Sequence, residues 1–107
     1  MRPTTFMIFL AVAIGAMPGE LLAQSRFFTT ERNIDRRGSD IDVLPAVGAA
    51  DCSFACQARD QCRAFTFVRP GVIDPFGRCF LQKTVRAPIR DNCCTSGVRK
   101  AAPRKRN

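Results

Sequence analysis

At 107 residues, with 17 basic against 9 acidic side chains, the chain is short and cationic, with a net charge of +8. A chain of this size is a single domain with room for only a small core, which excludes large multidomain machinery. It contains no histidine, so the common serine and cysteine hydrolase arrangements lose their usual base.

The chain begins Met1-Arg2-Pro3 and continues with an uncharged apolar run from Phe6 to Met17. A helix-breaking Pro18-Gly19 and then Leu21-Leu22-Ala23 follow. A charged start, a short apolar run and a small residue at a cleavage position predict a signal peptide over residues 1–23. Cleavage is expected after Ala23, with Ala16 as the alternative. The run is shorter than the about 20 apolar residues that a membrane span needs, and no other segment could cross a bilayer. The mature protein is therefore predicted to be secreted or periplasmic. Cleavage would remove one basic residue, Arg2, and one acidic residue, Glu20, leaving the charge of +8 unchanged. It would keep all six cysteines, at positions 52, 56, 62, 79, 93 and 94. An even cysteine count in a short exported chain indicates a disulfide framework. The alternative, zinc, is disfavoured: C-x3-C-x5-C followed by isolated cysteines is not a zinc-ribbon pattern, and there is no histidine. No metal and no cofactor are expected.

Residues 24–32 read as a short N-terminal lead-in, with Phe27-Phe28 offering an edge contact. Ile34 to Asp40 reads as a strand end and a turn, where Gly38 supplies permissive backbone. Ile41-Asp42-Val43-Leu44 alternates apolar and polar and stops at Pro45, which suits a short edge strand. Val47-Gly48-Ala49-Ala50 leads into a helix from about Asp51, its expected N-cap. Cys52 and Cys56, four apart, share one helix face that Ala55 and Arg59 extend, and Arg59 complements the negative end of the dipole. From Arg63 the period changes to two, placing Phe65 and Phe67 on one face of a strand. These two phenylalanines and Phe54 on the helix are assigned to the core. Arg69 to Gly77 is a loop rich in proline and glycine, and Arg78 to Lys83 is the next strand, carrying Cys79 and Phe80. Val85 to Asn92 is a second loop, Thr95 to Arg99 a closing strand, and residues 99–107 a disordered basic tail.

Several marks occur together in this order: Asp35-Arg36-Arg37-Gly38-Ser39-Asp40, then Cys52-x3-Cys56-x5-Cys62-Arg63-Ala64-Phe65-Thr66-Phe67, then Cys79-Phe80-Leu81-Gln82-Lys83, and Cys93-Cys94-Thr95-Ser96-Gly97-Val98. The chain thereby resembles the PAN/apple domain superfamily, in its compact bacterial exported form, over residues 33–98. The resemblance implies an α+β fold, a small disulfide-stapled domain in which a curved antiparallel sheet cradles one helix. It also implies pairing of Cys52 with Cys79 and of Cys56 with Cys62, each bridge stabilising by roughly 2–4 kcal/mol. There are two departures. The third bridge of apple domains, which links the domain ends, has no cysteine before Cys52 to form it, and Cys93 and Cys94 are instead adjacent. A vicinal disulfide is the favoured state for that pair, ahead of an intermolecular bond and then a redox role. The second departure is that phenylalanine stands where related sequences often carry tryptophan or tyrosine.

The expected function is non-catalytic recognition, since the resemblance implies a module that binds protein or carbohydrate at the cell envelope or outside the cell. Asp60, Asp74 and Asp91 fall in turn contexts where aspartate has local hydrogen bonds to make, and no phosphate-binding glycine loop appears. Arg69, Phe76 and Arg78 are the candidate contacts, with Phe76 expected to be exposed between Pro75 and Gly77. The lack of tryptophan and tyrosine favours a protein partner over a sugar. An electrostatic alternative uses the basic tail to bind acidic polysaccharide or, at most peripherally, a membrane surface. Nucleic acid is not an expected partner for an exported protein. A small secreted protease inhibitor is the remaining alternative.

Overall fold

A computed structural model describes residues 26–101. The expected signal peptide, its cleavage site and the last six residues of the basic tail lie outside the described residues. Strands β1 (Phe28–Asp35) and β2 (Asp40–Ala46) precede helix α1 (Ala49–Gln57), and β3 (Ala64–Val68), β4 (Gly77–Gln82) and β5 (Ile89–Arg99) follow it. The five strands form one antiparallel sheet in the order β1-β5-β3-β4-β2. The architecture is α+β, with the sheet wrapped around α1.

The first two strands of the sequence occupy opposite edges of the sheet, and this imposes curvature. Edges separated by four strand spacings would lie roughly 19 Å apart in a flat sheet. The chain from Asp35 to Asp40 reaches about 17 Å at full extension. The sheet therefore curls, helped by register shifts between Arg32 and Ile34 and between Asp40 and Asp42. Asn33, at the first shift, takes φ 59°, a left-handed conformation that asparagine tolerates. The link through Arg36, Arg37, Gly38 and Ser39 then crosses the face of the sheet away from the helix.

The two faces of the sheet carry different chemistry. Phe65, Phe67, Cys79 and Leu81 face the helix and form the main core with Phe28, Cys52, Cys56 and Cys62. Phe28 and Phe65 meet edge to face at 5.3 Å. Gly97, across from Phe65, has no room for a side chain, because a Cβ there would sit 2.4 Å from the Phe65 ring. On the other face Thr66, Gln82 and Ser96 are buried yet polar. Thr66 Oγ1 lies 2.8 Å from Ser96 Oγ and 3.0 Å from Gln82 Oε1, and it accepts a bond from the Arg36 amide at 3.2 Å. Ser96 Oγ donates to the Ile34 carbonyl at 2.8 Å, and Gln82 Nε2 donates to the Arg36 carbonyl. The network thus fastens the crossing link to the sheet centre, so β3 is buried on both faces.

Helix α1 has only nine residues, too few to persist alone in water. Cys52–Cys79 ties it to β4, and Cys56–Cys62 closes the turn after it, the pairings that the family resemblance implied. Its N-cap is Gly48 rather than Asp51. Asp51 sits one turn in and reaches back to accept the Val47 amide at 2.8 Å, a variant of the capping box. At the other end Arg99 supplies what the helix lacks: Nη2 donates to the carbonyls of Cys56 at 2.6 Å and Arg59 at 3.1 Å, while Nε donates to Cys62 at 2.8 Å. Its guanidinium also stacks over Phe28 at 5.5 Å. Arg99, read from sequence as the first residue of a tail, is a structural keystone at the end of β5. Phe54 differs too: it is 42% exposed rather than buried, since Cys52, Ser53 and Cys56 take the inward face.

Candidate recognition surface

The loop between β3 and β4 is held at both ends. The Arg69 amide donates to the Cys93 carbonyl at 3.0 Å, anchoring the loop's start to β5. Gly71, at φ 90°, turns the chain so that its amide reaches the Asp74 carbonyl at 2.8 Å. Asp74 then organises the return: Oδ1 accepts the Phe76 amide at 2.8 Å and Oδ2 accepts Arg78 Nε at 2.7 Å. The Phe76 amide, aided by the Arg78 guanidinium, outweighs desolvation and holds the Asp74 carboxyl below its ordinary value. Gly77 opens β4 where a Cβ would lie 2.6 Å from the Ala46 carbonyl oxygen and 2.8 Å from the Phe67 ring. A bare glycine therefore lets β4 pack close beside β2 and leaves Phe76 at the strand entrance.

This packing brings two loops together at one end of the sheet. A groove of about 400 Å³ runs between Pro45, Ala46 and Val47 on one side and Pro70, Pro75 and Phe76 on the other. Phe76 is 67% exposed and Val47 90% exposed. The single carboxylate on its lining, Asp51, is engaged by the Val47 amide, which fixes Val47 in place. Val72 and Ile73, in the same loop as Phe76, are exposed as well.

The three sequence candidates fall into different roles. Phe76 is a groove wall. Arg78 is at the loop base with its guanidinium bound to Asp74, so it braces the loop. Arg69 is exposed where the loop leaves β3 and does not line the groove. The opposite wall, Pro45 to Val47, was missed because the sequence between β2 and α1 reads as a plain connection. The available signal was a bare valine after a proline, in a position belonging to neither the strand nor the helix period.

The family model described as PAN domain matches residues 34–82. Over that span the chain matches a PAN domain. No curated protein and no solved structure matches it. The matched span contains β2, α1, β3 and β4, both helix bridges and both walls of the groove. Most of β1 precedes it, and β5 with Cys93 and Cys94 follows it. PAN domains are generally non-catalytic modules that bind protein or carbohydrate, and the match is consistent with a recognition role. A disulfide-rich PAN domain fits an extracellular setting, and among the described residues no helix is long and apolar enough to cross a membrane.

Proposed function

We propose that the protein is exported by cleavage of residues 1–23 and recognises a protein partner at the envelope or outside the cell. The groove between the β2–α1 connection and the β3–β4 loop is the binding surface, with Phe76 and Val47 as its apolar anchors. The observation that carries this reading is the exposure of those two side chains on walls fixed by Asp74 and Asp51. Exposed aromatics in positioned, proline-lined grooves are what protein partners bury. Sugars are held by stacking on broad aromatic faces together with convergent hydrogen-bonding groups. This groove has one phenylalanine and one carboxylate already in use, which favours protein.

Arg69 flanks the groove and serves as a peripheral cation that steers an acidic partner. The electrostatic alternative rests on the charge of +8. It loses some of its basis because Arg99 is bound to helix carbonyls and so does not act as tail charge. A photoreactive phenylalanine analogue at position 76 tests the reading. Protein adducts from envelope extract should form there and be absent from the same analogue at Val85. Equal yields at the two positions, or adducts only with glycan, would refute it.

A further inference from the structure

Cys93 and Cys94 are joined to one another within β5 and take no part in holding the helix. Their sulfurs and a carboxylate oxygen of Asp35 all lie within 4.8 Å of one another, a grouping that recognition at the groove does not use. Both cysteines are buried, and the Asp35 side chain is 13% exposed. The backbone around them is held from several directions. Cys94 pairs with Val68 across the sheet, the Cys93 amide donates to Asp91 at 2.9 Å, and the Cys93 carbonyl accepts from Arg69.

We propose that, once a dithiol reductant opens the Cys93–Cys94 bond, the two thiolates and Asp35 bind a thiophilic divalent cation of the zinc–cadmium class. In the first step the reductant is oxidised to its own disulfide and delivers two electrons and two protons, giving two thiols. The cation then displaces the two thiol protons as it binds. Reduction leaves the fold in place because the bridges differ in what they close: a sequence separation of 1 here, against 27 and 6 for the helix bridges. A link between neighbours restricts the unfolded chain very little, so its loss costs little stability.

The donor set suits such an ion. Thiolates select soft or borderline metals, and a carboxylate is an established additional ligand for zinc. Arg37 holds Asp35 through its amide at 2.8 Å and Nε at 3.0 Å on Oδ1 and through Nη2 at 2.9 Å on Oδ2, fixing the carboxylate and leaving one lone pair, on Oδ2, for a metal. Two thiolates and one carboxylate carry three negative charges. A divalent ion and the Arg37 guanidinium cancel them, so the covered site bears no net charge. Phe80, beneath Arg37 at 5.2 Å, and Val68 form the apolar surroundings.

The test is cadmium titration of the full mature chain before and after phosphine reduction, followed by the ultraviolet thiolate-to-cadmium charge-transfer band. The reduced protein should bind one equivalent and the oxidised protein none. Asp35→Asn should weaken binding at least about tenfold, and a Cys93→Ser/Cys94→Ser variant, reduced in the same way, should lack the band. The same band in that double variant would place the metal on the helix cysteines and overturn the proposal. So would unchanged affinity in Asp35→Asn, or no band in reduced protein whose Cys93 and Cys94 react as free thiols.

Discussion

Arg99 shows how much a single side chain can decide in a domain with so small a core. It satisfies three carbonyls that follow or end α1 and covers the Phe28 ring. Charge-assisted hydrogen bonds contribute about 1.5–3 kcal/mol. Arg99→Ala should therefore lower unfolding stability by about 2–4 kcal/mol in urea titration, with Arg99→Lys intermediate because an ammonium cannot reproduce the fork. A loss within experimental error would show that the helix end needs no cap. Asp74 makes a prediction in pH. Its carboxyl is held below the ordinary 3.8, so its ionised form is favoured in the folded state. The loop order it supports is present above about pH 4 and lost as pH falls through the depressed folded value. In an acid titration the Phe76 amide resonance should move in that range, and in Asp74→Asn it should not.

At the scale of elements, the helix and β3 were legible because their periods are strong and local. The four-residue cysteine spacing gave α1, and Phe65 with Phe67 gave β3. β2 was expected to stop at Pro45 but continues to Ala46, which an edge strand permits because its outer amides need no partner. β1 and the first half of β5 were hidden. Phe28-Thr29-Thr30-Glu31-Arg32 lies at the sheet edge and mostly faces solvent, so it carries no alternation and reads in sequence as a lead-in. Ile89 to Asn92 is exposed in the same way and was read as loop; its pairing with Ile34 and Asp35 resumes only after the register shift at Asn33. The polar inner face of β3 was illegible for a related reason. Thr66 looks like the solvent side of an alternating strand until a link from a distant part of the sequence covers it. Thr66→Val should cost about 1–3 kcal/mol, because it strands the Arg36 amide and weakens the hold on Ser96 and Gln82. A stability equal to wild type in thermal melts would mean that water replaces the hydroxyl.

For the molecule as a whole, two bridges and one curled sheet make a rigid support for the edge proposed to bind. Loop-closure estimates for separations of 27 and 6 residues give roughly 3.5 and 2 kcal/mol, large for a domain with a core this small. The cysteine pattern made that support readable from the sequence, since the family resemblance rests on it. Half of the candidate site was readable as well: the β3–β4 loop with Phe76 was singled out, while its facing wall comes from the close approach of β2 and β4 that Gly77 permits. The charge of +8 is the competing whole-molecule property, and salt separates it from the groove. The most direct measurement is retention of envelope proteins, at low and high salt, by the mature chain, by Phe76→Ala and by a chain ending at Ala101, which keeps the Arg99 cap. Recognition through the groove requires that retention survive high salt and loss of the tail and fall at least about tenfold in Phe76→Ala. Retention that disappears with salt or with the tail, and is indifferent to Phe76, would contradict it.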